Sequence, residues 1–510
     1  MTPADPPPLG PGAPTPVVAL PEAPVLRFPP VAVAGDALLA RLRGACEVVT
    51  DERDRLEASR DWWPLTATWA TGGEVPAEAA AVARPASSGE VAEVLRACDD
   101  AGVPVTVTAG RSGVCGASVP VFGGIALDLT RLTGIEAYDD TSLLVDVAAG
   151  TFGDLFEADL RARGATLGHW PQSIALSTVG GWVACRSAGQ YSTRYGKIED
   201  LVAGLEVVLA DGTVLRCGGR APRSATGPDL TQLFTGSEGT LGVVTSVRLR
   251  ASALPGDERR GAWGFATFAD GLDACRRVLR RGATPAVLRL YDQRESQRSF
   301  DVDTNVLIAL DEGDPVAIDG GWRVVTDECG AGDPLDASLV GRWLDRRNHV
   351  ADLGDLAGAG IVADTVEIAA PWSALPAIYE AALAAVRALP DALAASAHQS
   401  HAYRDGACLY FTVAGRPGRG PGGEPADVAA REGWYRAAWD AVTTATLDHG
   451  GALSHHHGVG LNRSRFMAAA LDGGLPVLAR VKAALDPNGI LNPGKLGLDS
   501  PWGPPPWPAR

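Results

Sequence analysis

Hydrophobic residues along this chain fall into short runs, many with a period of two, that predict β-strands. In residues 103–250 these runs are VPVTVTA, GGIALDLTRL, SLLVDVAAG, LVAGLEVVLADGTVL and LGVVTSVRLR. Further along, AVLRLYD, TNVLIALD, IVADTVEIA and ACLYFTVAG have the same character. The Asp211-Gly212 pair inside the fourth run is typical of a hairpin turn, so this run is expected to form two paired strands.

Other segments have the spacing of amphipathic helices. SSGEVAEVLRACDDAG is predicted to be a helix, with Ser87 or Ser88 as its N-cap and Gly102 at its end. GTFGDLFEADLRARG is predicted to be a helix that ends at Gly164, and GLDACRRVLRRG and LPAIYEAALAAVRAL are predicted to be helical as well. Strands and helices are therefore mixed along the chain, which predicts an α+β fold.

The content of proline and glycine divides the chain into five parts. Residues 1–35 are rich in Pro and Ala and are predicted to be disordered, and residues 498–510 form a Pro-rich tail without regular structure. Between them lie a glycine-rich α+β region at 36–251, a second α+β region at 252–450 and a shorter segment at 451–497. We treat these as the predicted domain limits.

Composition narrows the class of protein. The 510 residues carry a formal net charge of -16, so a broad basic surface for nucleic acid is not expected, although a few local arginines suffice to bind an anionic substrate. The eight cysteines form no CxxC pair, which is typical of a reduced, cytoplasmic protein without a zinc knuckle. We find no secretion signal, no lipid anchor and no apolar run long enough for a transmembrane helix.

Three glycine-rich segments are candidates for binding a cofactor. The first, Thr108–Ser118, follows a strand, and its backbone N–H groups either cradle a pyrophosphate or form an ordinary glycine turn. It does not fit the GxGxxG pattern of a dinucleotide-binding βαβ unit. The second, Pro171–Leu201, is long and polar, so its hydroxyl groups need partners that a bound cofactor would supply. The third, Gly236–Thr245, leads into a strand and is weak by itself.

Taken in this order, the three segments resemble those of a known family. Together with LRLYDQ, GACLYFTVAG and GGALSHHHGVG, they are similar to flavoproteins with the vanillyl-alcohol-oxidase-type (PCMH-type) FAD-binding domain, and within it to the alkyldihydroxyacetonephosphate synthase branch. The resemblance runs from about Asp61 to Leu496. It implies a two-part PCMH-type FAD-binding domain at 36–251, a cap domain of a sheet plus helices at 252–450, and a segment at 451–497 that completes the active site.

The resemblance also implies which residues line the FAD site. These are Val107, Thr108, Ala109, Gly110, Arg111, Ser112 and Gly113; Pro171, Gln172, Ser173, Ile174, Ala175, Leu176 and Ser177; Ala184, Cys185, Arg186 and Ser187; and Glu238, Gly239, Thr240, Leu241, Gly242, Val243 and Val244. Relatives with covalent FAD use a His or Cys in these loops. The first loop has no His and the second has no Cys at the position those relatives use, so we expect FAD to be bound non-covalently.

Tyr410 matches the catalytic acid/base tyrosine of the family. A phenol has a pKa near ~10, so a basic tyrosine needs positive charge or hydrogen-bond donors nearby. By pattern alone, a tyrosine between Leu409 and Phe411 is more typical of a core strand than of an active site. His169, which precedes the second loop, also matches a family residue, whereas His398 and His401 either tune proton transfer or form a satisfied polar pair.

The resemblance implies that the triplet His455, His456 and His457 lies beside the flavin and that Arg289 is important for activity. In an extended strand, the first and third histidines would face one side and the second the other. Two such imidazoles can also ligate zinc, but no carboxylate or cysteine is obviously placed to complete a site, so no metal is predicted. Without the resemblance, Arg289 would be read as an outward-facing strand residue.

The chain departs from the synthase pattern at one place that matters for function. No arginine lies between Val350 and Trp372, where the synthase has a substrate-binding arginine aligned near Leu353; Arg346 and Arg347 lie shortly before this stretch. The resemblance implies ether-lipid synthesis, in which an alkyl group replaces the acyl group of acyl-dihydroxyacetone phosphate. The alternative is an FAD-dependent oxidase or dehydrogenase of a hydroxy acid or alcohol. A small or lipid-like substrate, a homodimer and peripheral membrane contact are all compatible with the family.

Overall fold

The computed structural model describes residues 20–348, 353–418 and 427–508. The elements of the first part of the chain are β1 Val25–Leu26, α1 Asp36–Ala45, β2 Glu47–Val49, α2 Glu52–Ala58, α3 Leu65–Ala70, β3 Glu74–Val75, β4 Ala81–Arg84, α4 Ser88–Ala101, β5 Val105–Thr108 and β6 Ile125–Asp128. Four of these strands form a sheet in the order β2-β4-β6-β5, in which β4, β6 and β5 run parallel and β2 antiparallel.

Helix α4 shows how local sequence sets these limits. The Ser87 side chain accepts a hydrogen bond from the Glu90 N–H, and Gly102 ends the helix in the left-handed conformation (φ 61°), which glycine adopts without steric cost. The predicted cap and the predicted end of this helix are therefore both confirmed.

The elements of the next part of the chain are β7 Ile135–Asp139, β8 Leu144–Ala148, α5 Gly153–Ala162, β9 Ala165–Thr166, α6 Val179–Cys185, α7 Ser192–Tyr195, α8 Ile198–Leu201, β10 Val202–Val208, β11 Val214–Gly218, α9 Leu230–Phe234 and β12 Val243–Arg250. Five of these strands form an antiparallel sheet in the order β11-β10-β12-β8-β7. The predicted hairpin at Asp211-Gly212 joins β10 and β11.

The elements that follow are β13 Ser252–Ala253, β14 Asp257–Phe265, α10 Phe268–Arg280, β15 Val287–Tyr291, α11 Gln293–Phe300, β16 Asn305–Gly313, α12 Pro315–Cys329, β17 Asp333–Leu335, α13 Ser338–Arg346, α14 Leu353–Gly358, β18 Val362–Pro371, α15 Leu375–Arg387, β19 Ala392–Ala402, β20 Gly406–Gly415 and α16 Val428–Asp448. Seven of these strands form an antiparallel sheet in the order β17-β14-β16-β15-β19-β20-β18. Apolar residues of this sheet and its helices form the largest buried cluster.

The last segment touches two of the sheets. Ala452 forms an antiparallel bridge with Ala369 of the seven-stranded sheet, and Leu491 forms a parallel bridge with Val105 of the four-stranded sheet. Its elements are a 3₁₀ turn at Ser464–Phe466, α17 Met467–Ala470 and α18 Leu475–Leu485. Residues 451–497 therefore connect the seven-stranded sheet with the four-stranded sheet.

Both chain ends pack more tightly than their composition predicts. The prediction of disorder up to residue 35 is wrong from Leu20 onward, because β1 pairs with β3 and Phe28 is buried against Trp69. In the C-terminal tail, Trp507 is buried against Trp63 with ring centroids 4.9 Å apart. Aromatic burial offsets the low apolar content of these segments. Residues 1–19 and 509–510 lie outside the described part of the chain.

None of the helices in the described ranges is both long enough and apolar enough to cross a membrane.

Candidate active site

The predicted FAD segments meet at the ends of the first two sheets. A Cβ on Gly110 would lie 2.2 Å from the Leu176 carbonyl oxygen, so the first and second segments touch at a place where only glycine fits. The backbone N–H of Glu238 donates to the Ala184 carbonyl oxygen at 2.9 Å. The structure therefore brings together all four segments that the sequence predicts, from β5, from both sides of α6 and from the start of β12.

The composition of these segments fits a polar cofactor. Several buried polar atoms around them have no hydrogen-bond partner among the described residues, including Thr108 Oγ1, His169 Nδ1 and Asn492 Oδ1. Buried polar groups are rarely left unpaired, and a bound dinucleotide would supply the partners. His169 also bonds Ser187 through Nε2 at 2.9 Å, and burial lowers the pKa of His169 to about 3, so its ring is neutral.

Facing this region, the seven-stranded sheet presents a row of four side chains that we call the cross-strand row. Tyr291 pairs with His398, His398 with Tyr410, and Tyr410 with Glu367, across four neighbouring strands. Residues directly opposite each other in antiparallel strands lie on the same face. The three rings stack in sequence, with centroids 5.1 Å apart in both pairs.

An irregularity in β19 adds a second histidine to this face. The register shifts between Gln399 and His401, so that His401 pairs with Cys408. In a regular strand, His398 and His401 would face opposite sides; the extra residue of a bulge reverses this. His401 stacks on His455 at 4.8 Å and bonds the Ser192 hydroxyl through Nδ1 at 3.1 Å.

The histidine triplet is a bend and not a strand. The expectation for an extended strand, with the first and third histidines on one side and the second on the other, therefore does not apply. The Tyr410 hydroxyl lies 2.9 Å from His456 Nε2 and 2.6 Å from His457 Nε2. His455 Nδ1 lies 2.8 Å from His456 Nδ1. All three imidazoles thus belong to one hydrogen-bonded chain, in which the Tyr410 hydroxyl lies between His456 and His457.

Glu367 holds the triplet, and sequence reasoning did not identify it. Its carboxylate, fully buried, accepts from the Ser454 hydroxyl, from the backbone N–H groups of His455 and His457, and from the Arg463 guanidinium. Arg463 is itself fully buried. A glutamate within the apolar strand pattern IVADTVEIA was the available signal, since a buried carboxylate needs a paired cation.

The FAD segment 238–244 also binds the loop that follows the histidine triplet, through Glu238. The Glu238 carboxylate accepts from the backbone N–H groups of Val459 and Gly460, and its carbonyl oxygen accepts from Asn492 Nδ2 at 2.6 Å. The segment that contains Glu238 is consequently hydrogen-bonded to the loop that directly follows the histidines. Lys495, which sequence reasoning also missed, is buried, and burial lowers its pKa to about 8.

Electrostatics keep the hydrogen-bonded chain neutral. Withdrawal from water lowers the pKa of His455 and His456 to about 3 and that of His457 to about 4. Burial, followed by the Glu367 charge, raises the pKa of Tyr410 well above its usual value, although Arg289 opposes this. The phenol is therefore protonated in this state, and a lowered tyrosine pKa is not what the structure shows.

Arg289 is buried on β15 and lies on the same face as the cross-strand row, so the outward-facing alternative is wrong. Its Nε donates to the Tyr291 hydroxyl at 3.0 Å, and its guanidinium lies 5.3 Å from the centroid of Trp343. Within the described residues it forms no ion pair with a carboxylate.

Arg347 lies close by, after α13. Its guanidinium lies over the rings of Tyr191 and Trp343, at 5.0 and 5.8 Å from the centroids, and its Nη1 is buried without a hydrogen-bond partner in the described ranges. Arg346 is exposed. Residues 349–352 and the side chain of Leu353, where the synthase arginine aligns, lie outside the described residues.

Two groups of side chains could hold a metal ion by distance: His401, His455 and His456, and Glu367, Cys408 and His456, with ligand atoms within 4.8 Å of one another. Both nitrogens of His456 are already hydrogen-bonded. The absence of a metal stays a prediction.

Two parts of the chain match known protein families. Residues 79–218 match the FAD binding domain, and residues 254–496 match the C-terminal domain of FAD linked oxidases. The chain is an FAD-dependent enzyme that contains both of these domains. FAD as its cofactor is thereby confirmed.

Individual relatives fall into two groups. The chain is 29% identical to the uncharacterized FAD-linked oxidoreductase YgcU of Escherichia coli K12, covering 90% of this chain and 97% of YgcU. It is 28% identical to the alkyldihydroxyacetonephosphate synthase of Dictyostelium discoideum, covering 81% of this chain and 72% of the synthase. Among these relatives both a synthase and an oxidoreductase are thus similar to this chain.

Solved structures have the same fold. A crystal structure of alkyldihydroxyacetonephosphate synthase superimposes with a TM-score of 0.73 at 23% identity, over 93% of this chain and 88% of that one. p-Cresol methylhydroxylase superimposes with a TM-score of 0.71 at 18% identity, over 92% and 98%. The predicted α+β, PCMH-type architecture is confirmed.

Proposed function

We propose that this enzyme is of the alkylglycerone-phosphate synthase type: it takes a proton from a phosphate-bearing substrate and exchanges an acyl group for a long-chain alkyl group. The observation that carries the proposal is the pair of hydrogen bonds between the Tyr410 hydroxyl and the Nε2 atoms of His456 and His457. A neutral phenol in contact with two neutral imidazoles is able to pass a proton on as it takes one up.

The residues of the chain have distinct parts in this reaction. The four segments 107–113, 171–177, 184–187 and 238–244 would hold FAD, which when bound supplies an electron-accepting ring. Tyr410 takes the substrate proton, and an imidazole of the triplet takes the proton of Tyr410. Arg289 and Arg347 are cations without a carboxylate partner among the described residues, which supports binding of a phosphate or carboxylate group.

The second candidate is an FAD-dependent oxidase or dehydrogenase of a hydroxy acid or alcohol. The observation in its favour is the similarity to YgcU, which covers 97% of that FAD-linked oxidoreductase but only 72% of the synthase. The same proton chain would serve, since oxidation of an alcohol also requires removal of the hydroxyl proton.

One experiment separates the two. The FAD-loaded protein is mixed anaerobically with palmitoyl-dihydroxyacetone phosphate and a long-chain alcohol and, separately, with panels of 2-hydroxy acids and alcohols. The synthase proposal predicts release of palmitate and formation of an ether product while the flavin spectrum returns to its oxidised form. Lasting flavin reduction by the second panel alone would overturn it in favour of the oxidoreductase. No reaction with either would overturn both.

Non-covalent binding of FAD stays a prediction with a direct measurement. Acid precipitation of the purified protein should leave the yellow colour in the supernatant. Colour that remains with the pellet would show a covalent link. A homodimer and a cytoplasmic location also stay proposals.

A further inference from the structure

Glu367 occupies a place from which one carboxylate determines the positions of several protons. Four donors fix it: its Oε1 lies 2.8 Å from the Ser454 hydroxyl, 2.9 Å from the His457 backbone nitrogen and 3.0 Å from Arg463 Nη1, and its Oε2 accepts from the His455 backbone N–H. Burial opposes its ionisation, but Arg463 and then the histidines overcome this and hold the pKa of Glu367 below its usual range. The carboxylate is therefore an anion in a fixed orientation.

The His457 ring lies between this anion and the phenol. Its Nδ1 is 3.9 Å from Glu367 Oε1 and has no hydrogen-bond partner among the described residues, whereas its Nε2 is 2.6 Å from the Tyr410 hydroxyl. An N–H at Nδ1 is attracted by the carboxylate, and a lone pair there is repelled. The proton of the neutral ring accordingly belongs on Nδ1, which leaves the Nε2 lone pair to accept from Tyr410.

This assignment determines the other protons of the chain. A phenol has a single hydrogen to donate. Because Tyr410 donates it to His457, the 2.9 Å contact with His456 Nε2 must be a donation from His456 to the phenol oxygen. His456 Nδ1 then carries a lone pair and accepts from His455 Nδ1 at 2.8 Å.

We propose that Glu367 is a positioning residue that fixes this order of protons, so that His457 accepts the Tyr410 proton and His456 donates the hydrogen bond that stabilises the phenolate. The three histidines thereby have different parts. The inference rests on the proposed function only for its last step, in which the phenol oxygen takes a proton from the substrate and the bonding electron pair stays on the substrate.

The step is balanced in protons and charge. The O–H bond of Tyr410 breaks and an N–H bond forms at His457 Nε2, so that an imidazolium forms 3.9 Å from the Glu367 carboxylate. The arrangement follows the logic of a carboxylate–imidazole–hydroxyl triad, in which the acid orients the imidazole and stabilises its charged form. The charged or titratable groups around His457 are Glu367 on β18, Tyr410 on β20, Arg463, and the neighbouring His455 and His456.

The direct test reads proton positions without any substrate. The FAD-loaded protein is labelled with ¹⁵N at its eight histidines, and two-bond ¹H–¹⁵N correlations at neutral pH distinguish protonated from bare ring nitrogens. His457→Gln and His456→Gln assign the signals. We expect Nδ1–H with a bare Nε2 for His457 and Nε2–H for His456. A proton on Nε2 of neutral His457, or a charged His457, would overturn the proposal.

A matched pair of variants tests the part of Glu367. Glu367→Gln removes the charge that faces His457; Asp364→Asn removes a buried carboxylate of the same strand that bonds Tyr435 and Trp439 instead. Glu367→Gln should change the His457 signals to a mixture of tautomers, and Asp364→Asn should leave them unchanged. Equal spectra for both variants and the wild type would contradict the inference. If Glu367→Gln fails to bind FAD, the wild-type spectrum still tests the predicted positions of the protons on His456 and His457.

Kinetics on any substrate found give an independent readout. His456→Gln retains an amide donor and should lose about 10-fold in kcat, whereas His457→Gln removes the proton acceptor and should lose about 100-fold or more, with KM little changed in both. The reverse order would contradict the inference. If proton positions are as expected but no candidate substrate reacts, the proposed function fails and the assignment of protons stands.

Discussion

The two sides of the candidate site are built in different ways. On the cofactor side, short backbone segments approach each other so closely that a Cβ at Gly110 would meet a carbonyl oxygen. On the opposite side, side chains of the cross-strand row converge from residues that are far apart in sequence, such as Glu367 and Tyr410. The first kind of site is encoded by local composition, and the second by strand pairing and by one irregularity of register.

The difference predicts two separate phenotypes. Changes on the backbone side should remove the flavin and its colour. Changes in the cross-strand row should leave the flavin in place and remove turnover, since these residues act on protons. The variants below are ordered from the largest expected effect to the smallest.

Tyr410→Phe should separate the two sides most strongly. The ring still fills its place, but the hydroxyl that contacts His456 and His457 is lost. We expect turnover to fall about 100- to 10,000-fold, the range for loss of a general acid–base group, with FAD content unchanged. Tyr138→Phe, in the five-stranded sheet, is the control. Unchanged turnover per bound FAD would remove Tyr410 from the reaction.

Gly110→Ala should have the opposite phenotype. The added Cβ would lie 2.2 Å from the Leu176 carbonyl oxygen, and relieving this clash should cost about 1–3 kcal/mol, or roughly 5- to 150-fold in FAD affinity. Flavin fluorescence during titration of the FAD-free protein measures it. Gly89→Ala, in α4, meets only the Ser87 hydroxyl at 3.8 Å and should bind FAD normally. Equal affinities for the two variants would show that the close approach is not needed.

Acid should destabilise the side-chain half of the site. The pKa of each triplet histidine falls from 6.5 to about 3 or 4 on folding, so the unfolded state binds more protons below pH 6.5. The contribution of these histidines to the free energy of unfolding should therefore be constant above about pH 7 and decrease between pH 6.5 and 4, by about 1–2 kcal/mol per histidine at pH 5.

Thermal unfolding at several pH values measures this dependence. His457→Gln should flatten it, and a substitution of the exposed His449 should not. An identical pH dependence for the wild type and His457→Gln would contradict the neutral state of the triplet.

Arg347→Met should have the smallest effect and reports on the substrate. Its guanidinium carries a buried, unpaired Nη1 near Arg289, so its loss should raise KM for an anionic substrate about 10-fold and change kcat little. Arg346→Met, at an exposed position, is the control. Equal KM values for both variants and the wild type would exclude Arg347 from substrate binding.

Sequence reasoning predicted the cofactor side better than the catalytic side. Helix α4, the hairpin between β10 and β11, and the glycine-rich segments have local signals, namely caps, turn residues and small side chains. The position of Tyr410 depended on a resemblance, because its flanking residues Leu409 and Phe411 are those of a core strand.

The features that the sequence did not predict depend on contacts between residues that are far apart along the chain. The bulge at Gln399–His401 has no local signal, and without it His401 would face away from the triplet. Glu367 and Arg463 are separated by almost a hundred residues and reveal their role only once paired. Phe28 likewise packs in a segment whose proline content predicts disorder, and Trp507 packs in a tail for which only a lack of regular structure was predicted.

The account depends most on one claim, that the backbone segments and the cross-strand row face the same cofactor. A crystal structure of the FAD-loaded protein tests it directly. We predict the pyrophosphate against segments 107–113 and 171–177 and the flavin ring next to the Tyr410 hydroxyl, with both histidine contacts kept. A flavin ring that lies outside contact with the Tyr410 side chain would contradict the account.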